Sequence, residues 1–170
     1  MRLRYWLIAA LLGLLVWVRW SDLAGARWYP TRKRTMRRML ELAGVRPGDF
    51  VYDLGSGDAR ILMLAADEFG ARGVGVEVDP ARHAIARSRV RRAGLGDAID
   101  LVRGDFFAAD IGQADVVTLY LRQHTNDALA GKLAAELRPG TRIASNTYTL
   151  PGLPLRSADE AMRVYVYEVP

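Results

Sequence analysis

From residue 50 onward, short apolar runs alternate with stretches in which apolar residues recur every three or four positions. Phe50–Leu54 reads as a buried strand and Ala59–Phe69 as a helix closed by Gly70. "GVGVEV" (Gly73–Val78) reads as a second strand, after which Asp79 and Pro80 supply a cap and a first-turn proline. The helix they start is expected to run to about Ala93 and stop at Gly94. Ile99–Arg103 and Asp115–Leu121 follow as strands, and Asn126–Leu137 as a helix ended by "RPG". Thr141–Tyr148 and Met162–Val169 are the last two strands. Strands separated by helices of this length predict an α/β fold with a doubly wound, mainly parallel sheet.

The pattern before residue 50 is different. "YWLIAALLGLLVWV" (Tyr5–Val18) is uninterrupted and flanked by Arg4 and Arg19. With both arginines snorkelling, it extends from Leu3 to Trp20, enough to cross a thin bilayer, with Trp6, Trp17 and Trp20 at interfacial depth. A hydrophobic N-terminal helix acting as a single-pass membrane anchor is the expectation. "AGA" at Ala24–Ala26 leaves a cleaved signal open, and a buried core helix is a third reading. Thr31–Ala43 reads as a helix with Met36, Met39, Leu40 and Ala43 on one face. Arg32, Lys33, Arg34, Arg37, Arg38 and Glu41 occupy the remainder, facing either anionic headgroups or solvent. The expected organisation is an anchor over 1–22, a linker and basic amphipathic helix over 23–45, and a catalytic domain over 46–170.

Charge sharpens this division. The 170-residue chain carries a net +5, but residues 1–40 hold nine Lys/Arg against Asp22 alone. The remaining 15 basic and 18 acidic residues leave the body mildly acidic, which argues against a nucleic-acid partner. More basic charge follows the apolar segment than precedes it, so the body is expected in the cytoplasm. With no cysteine and only His83 and His124, a Cys/His zinc site and a disulfide framework are both excluded.

Candidate chemistry centres on "VYDLGSGDAR" (Val51–Arg60). A nicotinamide or flavin loop needs a third glycine where Arg60 stands, and the phosphate loop G-x-x-x-x-G-K-[ST] is absent. Asp53 and Asp58 bracket the loop, so a pyrophosphate there would be repelled. A cationic ligand fits better, and S-adenosylmethionine carries an ammonium and a sulfonium. Gly55, Ser56 and Gly57 would let the backbone approach its methionine part. Glu77, ending the second strand, is placed to accept both ribose hydroxyls. Asp105 of "GDFF" can accept from the adenine amino group, with Phe106 offering a backbone N–H and an apolar face. Singly, Asp53 or Asp58 reads equally as a helix cap, Glu77 as a strand-end surface acid and Asp105 as a turn residue. Three acids at three consecutive strand ends point to one ligand.

"VYDLGSGDAR", "GVGVEVDP" and "GDFF" resemble the seven-strand class I methyltransferases. More narrowly, "MLELAGVRPGDFVYDLGSGDARI", "VVTLYL" and "LRPGTRIASNTY" resemble a protein-lysine methyltransferase family. That family includes the mitochondrial enzyme acting on the ATP synthase c subunit and broad-specificity archaeal enzymes. The resemblance covers about residues 28–150. It implies S-adenosylmethionine as cofactor and a lysine side chain of a protein as acceptor, with Tyr120 and Asn126 as the candidates for holding the amine. Tyr120 reads equally as a packing aromatic and Asn126 as a helix cap, while His124 is a proton relay or a surface histidine. Two departures stand out: "YPTR" matches the family's "VPTP"-like element only at Pro30 and Thr31, and Ala59 replaces a common glycine. A lipid or small-molecule methyltransferase at the membrane, and a non-catalytic cofactor-binding module, are the rival function classes.

Overall fold

The computed structural model describes residues 31–170; the apolar segment Tyr5–Val18 and the linker up to Pro30 lie outside the described residues. Its elements are α1 (Lys33–Leu42), β1 (Phe50–Leu54), α2 (Arg60–Phe69), β2 (Arg72–Glu77), α3 (Pro80–Arg92) and β3 (Ile99–Arg103). They continue with β4 (Val116–Leu119), α4 (Gln123–Glu136), β5 (Arg142–Asn146), β6 (Leu155–Asp159) and β7 (Val164–Glu168). Seven strands form one sheet in the order β3-β2-β1-β4-β5-β7-β6. β1 pairs in parallel with β2 and β4, which puts it in the interior of the sheet and explains its burial on both faces.

The sheet is mixed rather than parallel throughout. β7 runs antiparallel to both β5 and β6. Only Glu160–Arg163 separates β6 from β7, a hairpin connection too short for a parallel crossover, so β7 turns back and inserts between β6 and β5. β6 is a strand that apolar alternation does not reveal. "LRSAD" lies at the sheet edge, is largely exposed and pairs through a register shift between Leu155 and Ser157.

Alternation sorts side chains between two cores. Val51 and Val116 face α1 and α2, whereas Tyr52, Leu54, Val117 and Leu119 face α4. α1 buries Met36, Met39, Leu40 and, past its end, Ala43, the face expected from its sequence. Of its basic residues, Lys33 (3.0 Å) and Arg37 (2.7 Å) pair with Glu68 of α2, and Arg38 pairs with Asp159 of β6 at 2.7 Å. These three residues therefore meet acids of their own domain. Arg142 fixes the helix end by donating to the carbonyls of Ala43 (3.1 Å) and Gly44 (2.7 Å).

The close helix–strand approach that a third loop glycine provides elsewhere comes here from β2. A Cβ on Gly73 would lie 3.2 Å from the Leu62 side chain of α2. On Gly75 it would meet Leu101 Cδ2 and Ser56 Oγ at 2.8 Å and Leu62 Cδ1 at 2.9 Å. Gly75→Ala is accordingly expected to cost about 1–3 kcal/mol of stability, read as a lower denaturant midpoint at constant m-value. An unchanged midpoint would mean that these three side chains yield without strain.

Candidate active site

The carboxyl ends of β1, β2 and β4 frame an open cleft. Asp53 and Glu77 line it from the strands, Leu119, Tyr120 and Leu121 from the end of β4, and Met36 and Met39 from α1. Period-2 alternation puts Asp53, Thr118 and Glu77 on the same face of the sheet, the one covered by α1 and α2.

The loop after β1 is stitched to β2. Gly55 (φ 84°) and Ser56 donate their N–H groups to the Val76 carbonyl at 2.9 and 3.0 Å. Gly57 (φ 55°) donates to Glu77 Oε2 at 2.9 Å, and Asp79 N–H donates to Glu77 Oε1 at 2.9 Å. A Cβ on Gly55 would lie 3.2 Å from Leu121, so glycine is required for both its dihedral and the close contact. Ala59, in place of the family's common glycine, keeps the left-handed turn at φ 63° as the residue preceding α2. The loop shape thus survives the substitution, at a conformational cost of about 1–2 kcal/mol.

Asp53 is 9% exposed and accepts from Thr118 Oγ1 at 2.7 Å. Burial pushes its carboxyl up to about 7; the Thr118 hydrogen bond opposes the rise, and the nearby charges of Glu77 and Asp58 add to it. A buried acid held near neutrality beside a second carboxylate suits a cationic guest. Glu77 is 2% exposed, and each of its oxygens accepts one backbone N–H. A carboxylate has about four lone-pair sites, so acceptor capacity remains on both oxygens.

The other expected residues are placed unequally. Ser56 lines the cleft, and its Oγ is buried with no hydrogen-bond partner. Asp58 lines it too, but its oxygens accept from Arg60 (2.9 Å) and Arg89 (2.8 Å), which offset its charge. Asp105 and Phe106 follow β3 on the same edge of the sheet, next to β2, since Gly104 N–H donates to the Glu77 carbonyl at 3.1 Å. Neither borders the cleft among the described residues; Asp105 Oδ1 accepts from Phe107 N–H at 2.9 Å, and Phe106 is buried. Tyr120 is in the cleft and 37% exposed. Asn126 is fully buried inside the first turn of α4, which starts at Gln123, so it caps no helix. Its Nδ2 donates to Ser145 Oγ and to the Thr149 carbonyl, both at 3.2 Å. His124 is exposed. Thr31, Met36 and Met39 join the cleft without having been singled out for it. The apolar stripe of α1 was the available signal.

A family model, the ANTKMT methyltransferase domain, matches residues 53–157. A protein-lysine N-methyltransferase of Saccharolobus islandicus (strain REY15A) is 41% identical, over 74% of this chain and 78% of that protein. The adenine nucleotide translocase lysine N-methyltransferase of Mus musculus is 34% identical, over 92% of this chain and 74% of that one. Among solved structures, an RNA methyltransferase from Salinibacter ruber in complex with S-adenosylhomocysteine has 44% identity and a TM-score of 0.80, covering 84% and 94% of the two chains.

Proposed function

Because this chain belongs to the ANTKMT methyltransferase domain family, we propose that it is an S-adenosylmethionine-dependent enzyme that methylates lysine side chains of a protein substrate. The observation that carries the reading is the pairing of two buried carboxylates, Asp53 and Glu77, in a cleft that Met36, Met39, Leu119 and Leu121 wall on the side of Tyr120.

The cleft fits the cofactor by its donor set. Asp53 faces the cationic methionine end, Gly55, Ser56 and Gly57 leave room for it, and Glu77 takes the ribose hydroxyls. Asp58 shapes the loop through its arginines, and Asp105 and Phe106 stand beyond Glu77 on the side of the adenine. When bound, S-adenosylmethionine supplies a methyl group on a positively charged sulfur. The protein's own task is alignment and exclusion of water. An acceptor lysine near pKa 10.4 must lose its proton, at a cost of about 4.6 kcal/mol at pH 7. Met36, Met39 and Leu121 provide apolar walls that favour the neutral amine.

Tyr120 holds the amine at the mouth of the cleft. Tyr120→Ala is expected to lower turnover roughly 10- to 100-fold with little change in cofactor affinity. Loss of cofactor binding in the folded variant would instead place Tyr120 in the cofactor site. Rates should rise from pH 7 to 9 as free lysine becomes neutral, unless product release limits turnover.

The segment Tyr5–Val18 anchors the chain, with the catalytic domain in the cytoplasm and the substrate at or in the membrane. Its composition supports this; among the described residues no helix is long and apolar enough to cross a membrane. Full-length protein that pellets with membranes and resists high salt would support the anchor, and release by salt would refute it. The likeness to the Salinibacter ruber RNA methyltransferase supports a second reading, an RNA acceptor. Mass spectrometry of membrane proteins from cells with and without the enzyme tests the first: lysines that lose a methyl group support it. A change confined to RNA or lipid would replace it.

A further inference from the structure

The loop following β5 is tied to the first turn of α4 by side chains that take no part in the cofactor's half of the cleft. Gln123 Nε2 donates to the Thr149 carbonyl at 3.1 Å, and Thr149 N–H donates back to Gln123 Oε1 at 3.2 Å. Asn126 Nδ2 reaches the same carbonyl, and Ser145 Oγ closes the loop by donating to the Tyr148 carbonyl at 2.6 Å. From the other side, Leu150 N–H donates to Tyr167 Oη at 3.1 Å. The loop starts from Thr147 at φ 73°, whose N–H donates to the carbonyl of Arg163, itself at φ 54°. Two non-glycine residues in left-handed backbone cost free energy, so the surrounding bonds hold this loop in one shape.

Sheet order says what that shape serves. Glu77 lies on β2 and Asp53 on β1, so the cofactor side of the cleft runs from β2 to β4. The loop after β5 lies beyond β4 on the opposite side, with Tyr120 between the two. Three residues, Tyr120–Arg122, connect the end of β4 to Gln123. Whatever fixes the first turn of α4 therefore fixes Tyr120.

We infer that Gln123, seconded by Asn126, is a positioning residue that clamps the Thr147–Leu150 loop to α4 and so sets the acceptor side of the cleft. The inference rests on the assignment of Tyr120 to the acceptor amine. Gln123 is partly exposed at the helix start, so Gln123→Ala removes its two bonds to the Thr149 backbone, leaving that of Asn126, without opening the core. Crystal structures of the full chain and of Gln123→Ala, both with S-adenosylhomocysteine, should show Tyr148–Leu150 and Tyr120 displaced and Gly55–Asp58 unmoved. With poly-lysine as acceptor, kcat/KM should fall about 10- to 100-fold at unchanged cofactor affinity. Gln123→Glu keeps the acceptor for Thr149 N–H but sets a carboxylate against Asp127 and the Thr149 carbonyl, so it should lose nearly as much as alanine. A Tyr120 that superposes in the two structures, or an unchanged kcat/KM, overturns the clamp. Wild-type protein that methylates no lysine counts against the lysine reading, while the position of Tyr120 still decides the clamp.

Discussion

Replacing Glu77 by alanine is expected to weaken S-adenosylmethionine binding by about 2–4 kcal/mol, roughly 30- to 1000-fold. Two effects add. The ribose hydroxyls lose a charged acceptor, and the N–H groups of Gly57 and Asp79, each 2.9 Å from a Glu77 oxygen, lose theirs. The second effect loosens the loop that cradles the methionine end and also lowers stability, since a buried unsatisfied donor costs about 1–3 kcal/mol. Glu77→Gln separates charge from shape. It fills the same volume but turns one amide NH₂ toward a backbone N–H, so it should bind better than alanine and worse than wild type. Calorimetric titration below the unfolding temperature of each variant is the check. Wild-type affinity in a folded Glu77→Ala protein would remove Glu77 from the cofactor site.

Cofactor affinity should also depend on pH through Asp53. Its carboxyl is raised to about 7 in the folded protein by burial, against 3.8 for the free side chain. The native state therefore binds the extra proton between these values, and the stability of the cofactor-free protein falls as pH rises from about 4 through 7. A cationic ligand favours the ionised form, so binding expels the proton. Affinity should climb toward tenfold per pH unit below about 7 and level off above it. It should decline again above about 8, where the ligand's own α-amino group loses its charge. Asp53→Asn should abolish the rise between pH 5 and 7 while leaving the decline above 8. A wild-type affinity that is flat from pH 5 to 7 would show that Asp53 does not face the ligand's charge.

The sheet's central strands were legible because β1, β2 and β4 are short apolar runs bounded by glycines and helix caps. The acids near the ends of β1 and β2 were legible for the same reason: a carboxylate inside or closing a buried apolar run has no role in packing. β6 was not legible, since an exposed edge strand with a register shift keeps no apolar period. The reversal of β7 had a usable signal in the missing helix between Tyr148 and Met162. Asp53 and Glu77 meet in one cleft because β1 and β2 are neighbours, whereas Asp105 and Phe106, read with them from the third strand end, do not border it among the described residues. The Met36 and Met39 wall was not legible, because it depends on where α1 docks, and that is set by Glu68, Asp159 and Arg142 far along the chain. Asn126 read as a candidate for holding the amine or as a helix cap, and its place inside the helix makes it no cap. Helix α4 begins three residues earlier than its apolar pattern suggests, which turns Asn126 inward to Ser145 and Thr149 rather than toward the helix end.

One measurement bears most directly on methyl transfer to lysine. Purified full-length protein is incubated with methyl-labelled S-adenosylmethionine and with protein, RNA and lipid fractions in parallel. Each labelled product is then hydrolysed and its methylated compound identified. The account predicts label in ε-N-methyllysine from the protein fraction, lost in Glu77→Ala at limiting cofactor and strongly reduced in Tyr120→Ala. Label recovered in methylated nucleosides or lipid, with none in methyllysine, would contradict it.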